Sequence, residues 1–144
     1  MKTASWFTPV PADHIRIGIS RAVPRRFAPG YRVFRALAPG PWFNAADVAE
    51  YDRLYRAEVL ASLEPRATYA AILELAAGRE PVLCCYEKPD GPSWCHRALA
   101  ARWFADALGE PVPELGYEQL PQHDHPLLPA PLRRQGTRIP TKGA

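Results

Sequence analysis

The chain has 144 residues, 47% hydrophobic and 23% charged, which is enough for one domain with a hydrophobic core. No apolar stretch approaches the roughly 18 residues that cross a bilayer, so no membrane partner is expected. The first residues lack the charged-then-apolar pattern of a secretory signal, which predicts a cytoplasmic protein. Three closely spaced cysteines are a poor disulfide framework and predict reduced thiols.

The net charge of +3 is distributed unevenly. Residues 1–35 contain seven basic side chains and one acid, whereas residues 36–120 contain seven basic and thirteen acidic side chains. The last 24 residues contain four basic side chains and one acid. Such a division is typical of a protein with an anionic partner, but solvated arginines that pair with the acidic middle explain it equally.

In chain order, the first predicted strand covers residues 15–19, where apolar residues alternate with others, and it ends at Ser20 and Arg21. A loop over residues 22–30 follows, and residues 31–37 are a second strand or an irregular extended segment. Asn44 is the predicted N-cap of a helix over residues 45–63. Pro65 begins a second helix, for which Gly78 is the predicted stop.

Residues 81–86 form a nearly continuous apolar run, typical of a strand buried on both faces in a parallel sheet. After a loop over residues 88–92, Ser93 is the predicted cap of a third helix that ends at Gly109. Residues 112–115 predict one more short strand. The proline-rich residues 119–144 are predicted to form a basic tail, either disordered or draped over the domain.

This order of elements predicts a small single-domain α/β fold over residues 1–118, with an open, mostly parallel sheet flanked by helices. Sites in such sheets form at the carboxyl ends of strands, where loops meet helix N-termini. Ser20, Arg21 and Glu87 follow predicted strands, and Cys95 falls in the first turn of the next helix. If the strands are parallel, these residues share one edge of the sheet.

The segment from Glu87 to Arg97 carries the predicted chemistry. A helix N-terminus stabilises a thiolate at Cys95, and neighbouring His96 or Arg97 lowers the pKa of that thiol further. Arg97 is a candidate bidentate anion clamp, and Glu87 is a general base or the partner of Arg97 or His96. The predicted catalytic residues are Cys95 and Glu87. The predicted ligand-binding residues are Ser20, Arg21, Cys85, His96 and Arg97.

Each of these side chains also has a purely structural interpretation. Cys84 and Cys85 fit a buried strand as small core residues, and Cys95 fits an inert thiol. Glu87 and Arg97 can pair for architecture alone, and His96 can lie on the surface. A metal site at Cys85, Cys95 and His96 is not expected, because adjacent residues on a helix diverge by about 100°. No cofactor is predicted.

Together these motifs resemble the bacterial and archaeal family called domain of unknown function 488. The similarity lies in the run from Leu83 to Glu87, followed by Trp94-Cys95-His96-Arg97 and an amphipathic helix. Further similar segments are Ile19-Ser20-Arg21, Leu37-Ala38-Pro39-Gly40 and Tyr51-Asp52-Arg53-Leu54-Tyr55. The resemblance spans residues 15–118 and implies that the family positions here are Cys85, Glu87, Cys95, His96 and Arg97, with Ser20 and Arg21 as additions.

The leading hypothesis is a pocket at the sheet's carboxyl edge that binds an anionic small molecule or a nucleotide-like ligand. In its enzymatic form, Cys95 is the nucleophile, Glu87 the base or orienting group and Arg97 the anion clamp. The alternative is a non-catalytic nucleic-acid-binding or accessory protein that uses the basic N-terminal third and the tail. An interaction module without pocket chemistry also remains open.

Overall fold

Four parallel strands form the centre of the structure, a computed structural model that describes residues 1–133. Across the sheet the strands lie in the order β1 (Lys2–Ser5), β4 (Glu80–Cys85), β2 (His14–Gly18) and β3 (Arg32–Val33). The flanking helices are α1 (Val48–Leu54), α2 (Pro65–Ala76) and α3 (His96–Leu108). All three neighbouring strand pairs are parallel, which confirms the predicted α/β fold.

Strand β4 is central, as its apolar run predicts. It pairs with β1 on one side and with β2 on the other, and Val82, Leu83 and Cys84 have no exposed surface. The predicted second strand is reduced to the two residues of β3, after which Arg35–Leu37 forms a 3-10 turn. The carboxyl ends of β2 and β4 therefore lie side by side.

Strand β1 was not predicted, because its sequence has no apolar periodicity. Thr3 and Ser5 are polar but completely buried. The Thr3 hydroxyl donates to Glu114 Oε1 at 2.7 Å, and the Ser5 hydroxyl donates to the Tyr86 carbonyl at 3.0 Å. Hydrogen bonds offset the cost of burying these hydroxyls, so a polar segment can form a strand here. The strand predicted over residues 112–115 is a single parallel bridge between Thr3 and Glu114.

The boundaries of α1 and α2 differ from the predicted ones. The N-cap of α1 is Asp47, whose carboxylate accepts an amide hydrogen bond, whereas Asn44 lies in a preceding 3-10 turn. After α1 the chain continues through a π-helical turn, Tyr55–Val59. Helix α2 ends at Ala76, and its C-cap is Ala77, which is left-handed with φ of 52° and lies one residue before the predicted stop at Gly78. Within residues 1–133, no helix has the length and apolar character needed to span a membrane.

The first part of the predicted tail, residues 119–133, packs against the domain. Leu127 and Leu128 are buried in the main core, and His125 is buried beside them. The Leu127 carbonyl accepts a hydrogen bond of 3.0 Å from the Cys95 amide. Residues 119–133 are therefore draped over the domain, which is one of the two predicted alternatives for the tail. Residues 134–144 lie outside the described part of the chain.

Candidate functional site

The carboxyl ends of β2 and β4 meet the N-terminus of α3 at a cavity of about 710 Å³, here called the carboxyl-edge cavity. The predicted site residues that line it are Ser20, Arg21, Cys85, Glu87, Cys95 and His96. Arg97 does not line it. The parallel arrangement of the strands is what brings together residues separated by more than 60 positions in the sequence.

Cys95 is itself the N-cap of α3, which corrects the prediction that Ser93 caps the helix and that Cys95 lies in its first turn. Its backbone is extended, with φ of −148° and ψ of 146°, and its Sγ accepts a hydrogen bond of 3.5 Å from the Arg97 amide. Gly109 ends the helix as predicted. The free N–H groups and the dipole of α3 therefore act directly on the Cys95 sulfur.

Cys85, Cys95 and His96 form a buried cluster in the cavity wall, in which the two Sγ atoms and a ring nitrogen lie within 4.8 Å of one another. His96 Nδ1 is 3.6 Å from Cys85 Sγ and 3.8 Å from Cys95 Sγ. The geometric argument against a shared ion does not hold, because it required both Cys95 and His96 to be helical. The extended N-cap turns the Cys95 side chain back towards the imidazole.

The orientation of His96 follows from a backbone contact. His96 Nε2 lies 2.8 Å from the Ile19 carbonyl oxygen, which can only accept a hydrogen bond. Nε2 therefore carries a proton, and Nδ1 faces the two sulfurs. The ring also packs edge-on against Tyr55, with the centroids 5.6 Å apart.

The three thiols differ in acidity. Burial opposes ionisation of Cys95, but the neighbouring Cys85 thiol and the nearby Arg97 and His96 side chains outweigh it and hold the pKa of Cys95 well below that of a free thiol. The pKa of Cys85 is raised well above that value, first by the neighbouring Cys95 sulfur and then by burial. Burial raises the pKa of Cys84 to about 12. Cys95 is thus the most acidic of the three thiols, and Cys85 beside it holds its proton more strongly.

Glu87 lies beside this cluster, half-buried in the cavity wall, with Oε1 3.6 Å from Cys85 Sγ. Burial, and then the negative charge of Cys95, raise the pKa of the Glu87 carboxyl. Glu87 therefore holds its proton more strongly than a solvated glutamate does.

Arg97 is a structural residue here, which corrects its prediction as an anion clamp and as a partner of Glu87. Its side chain has no exposed surface, and Nε and Nη2 donate to the two Glu114 oxygens at 3.0 and 2.8 Å. The clamp geometry is bidentate, as predicted, but the carboxylate that it binds belongs to the protein. Glu114 was not identified in the sequence, because nothing local marks it as the partner of a residue 17 positions away.

Ser20 and Arg21 occupy different parts of the cavity. The buried Ser20 hydroxyl accepts from Trp6 Nε1 at 2.9 Å and donates to the Ala22 carbonyl at 2.6 Å, so its hydrogen bonds are internal. Arg21 is exposed, donates to the Pro39 carbonyl at 3.0 Å and places its guanidinium 5.1 Å from the Phe43 ring centroid. Arg21 is thus the lining cation that an anionic ligand can reach.

Aromatic residues, which were not among the predicted site residues, complete the cavity. Tyr51 and Trp94 pack edge-to-face with centroids 4.6 Å apart, and Phe43 and Tyr86 are exposed in the same wall. The Tyr51 hydroxyl has no hydrogen-bond partner among residues 1–133. The helical spacing of Tyr51 indicates only a core residue, although it and Trp94 both lie in segments that carry the family resemblance.

Comparison of the chain with family models, curated proteins and solved structures gives no match. The resemblance to domain of unknown function 488 therefore stays a prediction carried by its motifs. What the fold and the site define is a small parallel α/β protein with two thiols, an imidazole and a carboxyl in one cavity wall.

Proposed function

We propose that this protein is a cysteine-dependent enzyme that acts on an anionic, nucleotide-like small molecule in the carboxyl-edge cavity. The observation that carries the proposal is the position of Cys95, whose sulfur caps a helix, lies 3.8 Å from His96 Nδ1 and lines a cavity of about 710 Å³. A nucleophilic thiol needs stabilisation of its anion, a fixed position and access to a ligand. Cys95 meets all three conditions.

In the proposed reaction, the Cys95 thiolate attacks an electrophilic acyl or phosphoryl centre, and the leaving group departs with the electrons of the broken bond. Glu87, whose pKa is raised by burial and by the charge of Cys95, is the proposed general acid and gives a proton to the leaving group. Water then displaces the sulfur and passes its proton to the Glu87 carboxylate, which restores both residues. Cys85, whose sulfur lies within 4.8 Å of the Cys95 sulfur, is the neighbouring thiol in the free enzyme.

The cavity wall supports the proposed class of ligand. Phe43, Tyr86 and Trp94 offer aromatic surface to a planar ring, and Arg21 offers a cation to a charged group. The N-terminus of α3 adds a second positive potential at the same cavity. A ring joined to an anionic group fits this combination.

Chromogenic substrates test the enzymatic proposal. The wild-type protein should hydrolyse p-nitrophenyl acetate or p-nitrophenyl phosphate, and Cys95→Ser should lose at least about 100-fold in rate because an alcohol stays protonated at neutral pH. Cys84→Ser is the matched control, since Cys84 lies in the same region but outside the cavity. Equal rates in wild type and a folded Cys95→Ser variant would exclude the nucleophile.

A second candidate function is nucleic-acid binding, and a separate groove favours it. Arg16, Arg25, Arg26 and Arg79 line a second cavity of about 560 Å³, together with Phe27, Tyr31 and other residues. Among residues 1–133, no acidic side chain lines this groove. Basic and aromatic side chains in one groove suit a single-stranded nucleic acid, whose bases stack while its phosphates pair. Arg21 is not part of this groove.

A fluorescent single-stranded oligonucleotide distinguishes this candidate. Binding through the groove should weaken steeply between two salt concentrations, because each neutralised phosphate contributes about −0.7 to the logarithmic slope. The Arg25→Ala, Arg26→Ala double variant should bind less tightly, and Arg66→Ala, which removes an exposed arginine from α2, should not. Absence of binding at low salt would remove this candidate.

A further inference from the structure

The cluster in the cavity wall also has the donor set of a metal site. We propose that Cys85, Cys95 and His96 bind Zn²⁺ or a similar soft divalent ion, with the fourth coordination position directed to the carboxyl-edge cavity. The inference goes beyond the proposed function, because an ion held in this way occupies the sulfur that would act as nucleophile. The metal-free protein is then the reactive form, and the metal-bound protein is the blocked form.

The interatomic distances carry the proposal. A tetrahedral zinc ion with Zn–S bonds of about 2.3 Å and Zn–N bonds of about 2.0–2.1 Å separates nitrogen from sulfur by about 3.6 Å and sulfur from sulfur by about 3.8 Å. His96 Nδ1 lies 3.6 and 3.8 Å from the sulfurs of Cys85 and Cys95, and no pair of the three donor atoms exceeds 4.8 Å. Movement of about 1 Å or less between the sulfurs completes the tetrahedral face.

The imidazole is already oriented for coordination. Metal-bound histidines usually donate their second N–H to a carbonyl or carboxylate, which fixes the tautomer and the ring angle. His96 Nε2 makes this contact with the Ile19 carbonyl at 2.8 Å, which leaves Nδ1 free to bind. The ring thus needs no change of tautomer to coordinate an ion.

The charge balance of the cluster and its access to the cavity also fit a metal site. Two thiolates balance the charge of a divalent ion, so a buried site remains neutral after Cys85 releases its proton to solvent. Because the three donors lie in the cavity wall, water or a ligand atom can take the fourth position. Cys84 cannot contribute, since its thiol bonds to the Val82 carbonyl outside the carboxyl-edge cavity.

Titration of the reduced protein with Co²⁺ tests the site directly. An equimolar amount of Co²⁺ should produce thiolate-to-cobalt charge-transfer absorption and the visible bands of tetrahedral cobalt, and Zn²⁺ should abolish both. Cys85→Ser and Cys95→Ser should each lose most of the charge-transfer intensity, and His96→Ala should weaken binding at least about tenfold, whereas Cys84→Ser should behave as wild type. Circular dichroism verifies that each variant is folded.

The absence of charge-transfer absorption in the reduced wild-type protein would overturn the metal site, as would full intensity in a folded Cys85→Ser variant. Zn²⁺ should also slow iodoacetamide modification of Cys95 at least about tenfold, and EDTA should restore the rate. Unchanged modification with Zn²⁺ bound would overturn the blocked state. Hydrolysis measured in EDTA tests the enzymatic proposal separately, so either idea can fail while the other stands.

Discussion

The neighbouring residues His96 and Arg97 belong to two different environments, and their contrast explains how the site is built. His96 faces the carboxyl-edge cavity, where the Tyr51 hydroxyl has no partner among residues 1–133 and the Cys95 sulfur can meet a ligand. Arg97 faces the interior, where its guanidinium donates hydrogen bonds to both carboxylate oxygens of Glu114. One side of the helix N-terminus is therefore available for chemistry, and the other side holds the fold together.

The interior side is a continuous hydrogen-bonded network. The Leu127 amide donates to His125 Nδ1 at 3.1 Å, and His125 Nε2 donates to the Thr3 hydroxyl at 2.8 Å. Thr3 donates in turn to Glu114, the partner of Arg97. Of these side chains, Arg97 alone has a buried nitrogen, Nη1, without a partner among residues 1–133. Such a network restrains the loop and the helix that position Cys95.

The largest expected effect comes from breaking the ion pair in this network. Arg97→Ala leaves the Glu114 carboxylate buried without its cation and should lower the free energy of unfolding by about 3–5 kcal/mol. Arg53→Ala, which removes the exposed pair with Glu50, should change it by less than about 0.5 kcal/mol. Urea denaturation measures both. A loss below about 1 kcal/mol in Arg97→Ala would show that the interior side does not carry the fold.

The next prediction concerns the thiols of the metal-free protein. In EDTA at pH 7, iodoacetamide should modify Cys95 at least about 100-fold faster than Cys84, because each unit of pKa above the pH removes about tenfold of thiolate. Cys85→Ala removes the neighbouring thiol that lowers the pKa of Cys95 and should move the alkylation profile of Cys95 to higher pH. Residue-resolved mass spectrometry gives the rates. Equal rates for Cys95 and Cys84 in the folded protein would contradict the assigned thiolate.

The pH dependence of stability tests the interior side through His125. Burial, and then the charge of Arg97, lower the pKa of His125 to about 3, from about 6.5 in an unfolded chain. The unfolded state therefore binds the proton first, so His125 contributes fully above pH 6.5 and its contribution falls by about 1.4 kcal/mol per pH unit between pH 6.5 and 3. His125→Gln should remove about 2–3 kcal/mol of the stability difference between pH 7 and pH 4.5. An unchanged difference would show that this imidazole is protonated in the folded state.

The smallest effects compare single hydroxyls on the two sides. Thr3→Val removes a hydroxyl that joins Glu114 to His125 and should cost about 1–3 kcal/mol, because a buried acceptor and a buried donor lose their partner. Tyr51→Phe removes a hydroxyl without a partner in residues 1–133 and should change stability by less than about 0.5 kcal/mol. Thermal denaturation measures the pair, and equal losses would remove the distinction between the two sides.

Several elements were predictable because their signal is local. The apolar run at β4 requires burial on both faces, and the glycine at position 109 has a φ of 71° that ends α3. The carboxyl-end rule for parallel sheets placed Ser20, Arg21, Glu87 and Cys95 at one edge. These residues were found from local pattern and topology alone.

Other features depend on partners distant in sequence, and only the tertiary structure decided them. Strand β1 can contain buried polar residues because Glu114 and Tyr86 accept hydrogen bonds from its hydroxyls. Its sequence therefore lacks the apolar periodicity that predicts a strand. Arg97 likewise binds Glu114 and does not line the cavity. Cys95 is an extended N-cap, and its amide donates a hydrogen bond to the Leu127 carbonyl. The sequence determined which residues reach the edge of the sheet, because burial and turn chemistry act locally. Hydrogen bonds between distant segments decided which of those side chains face the cavity.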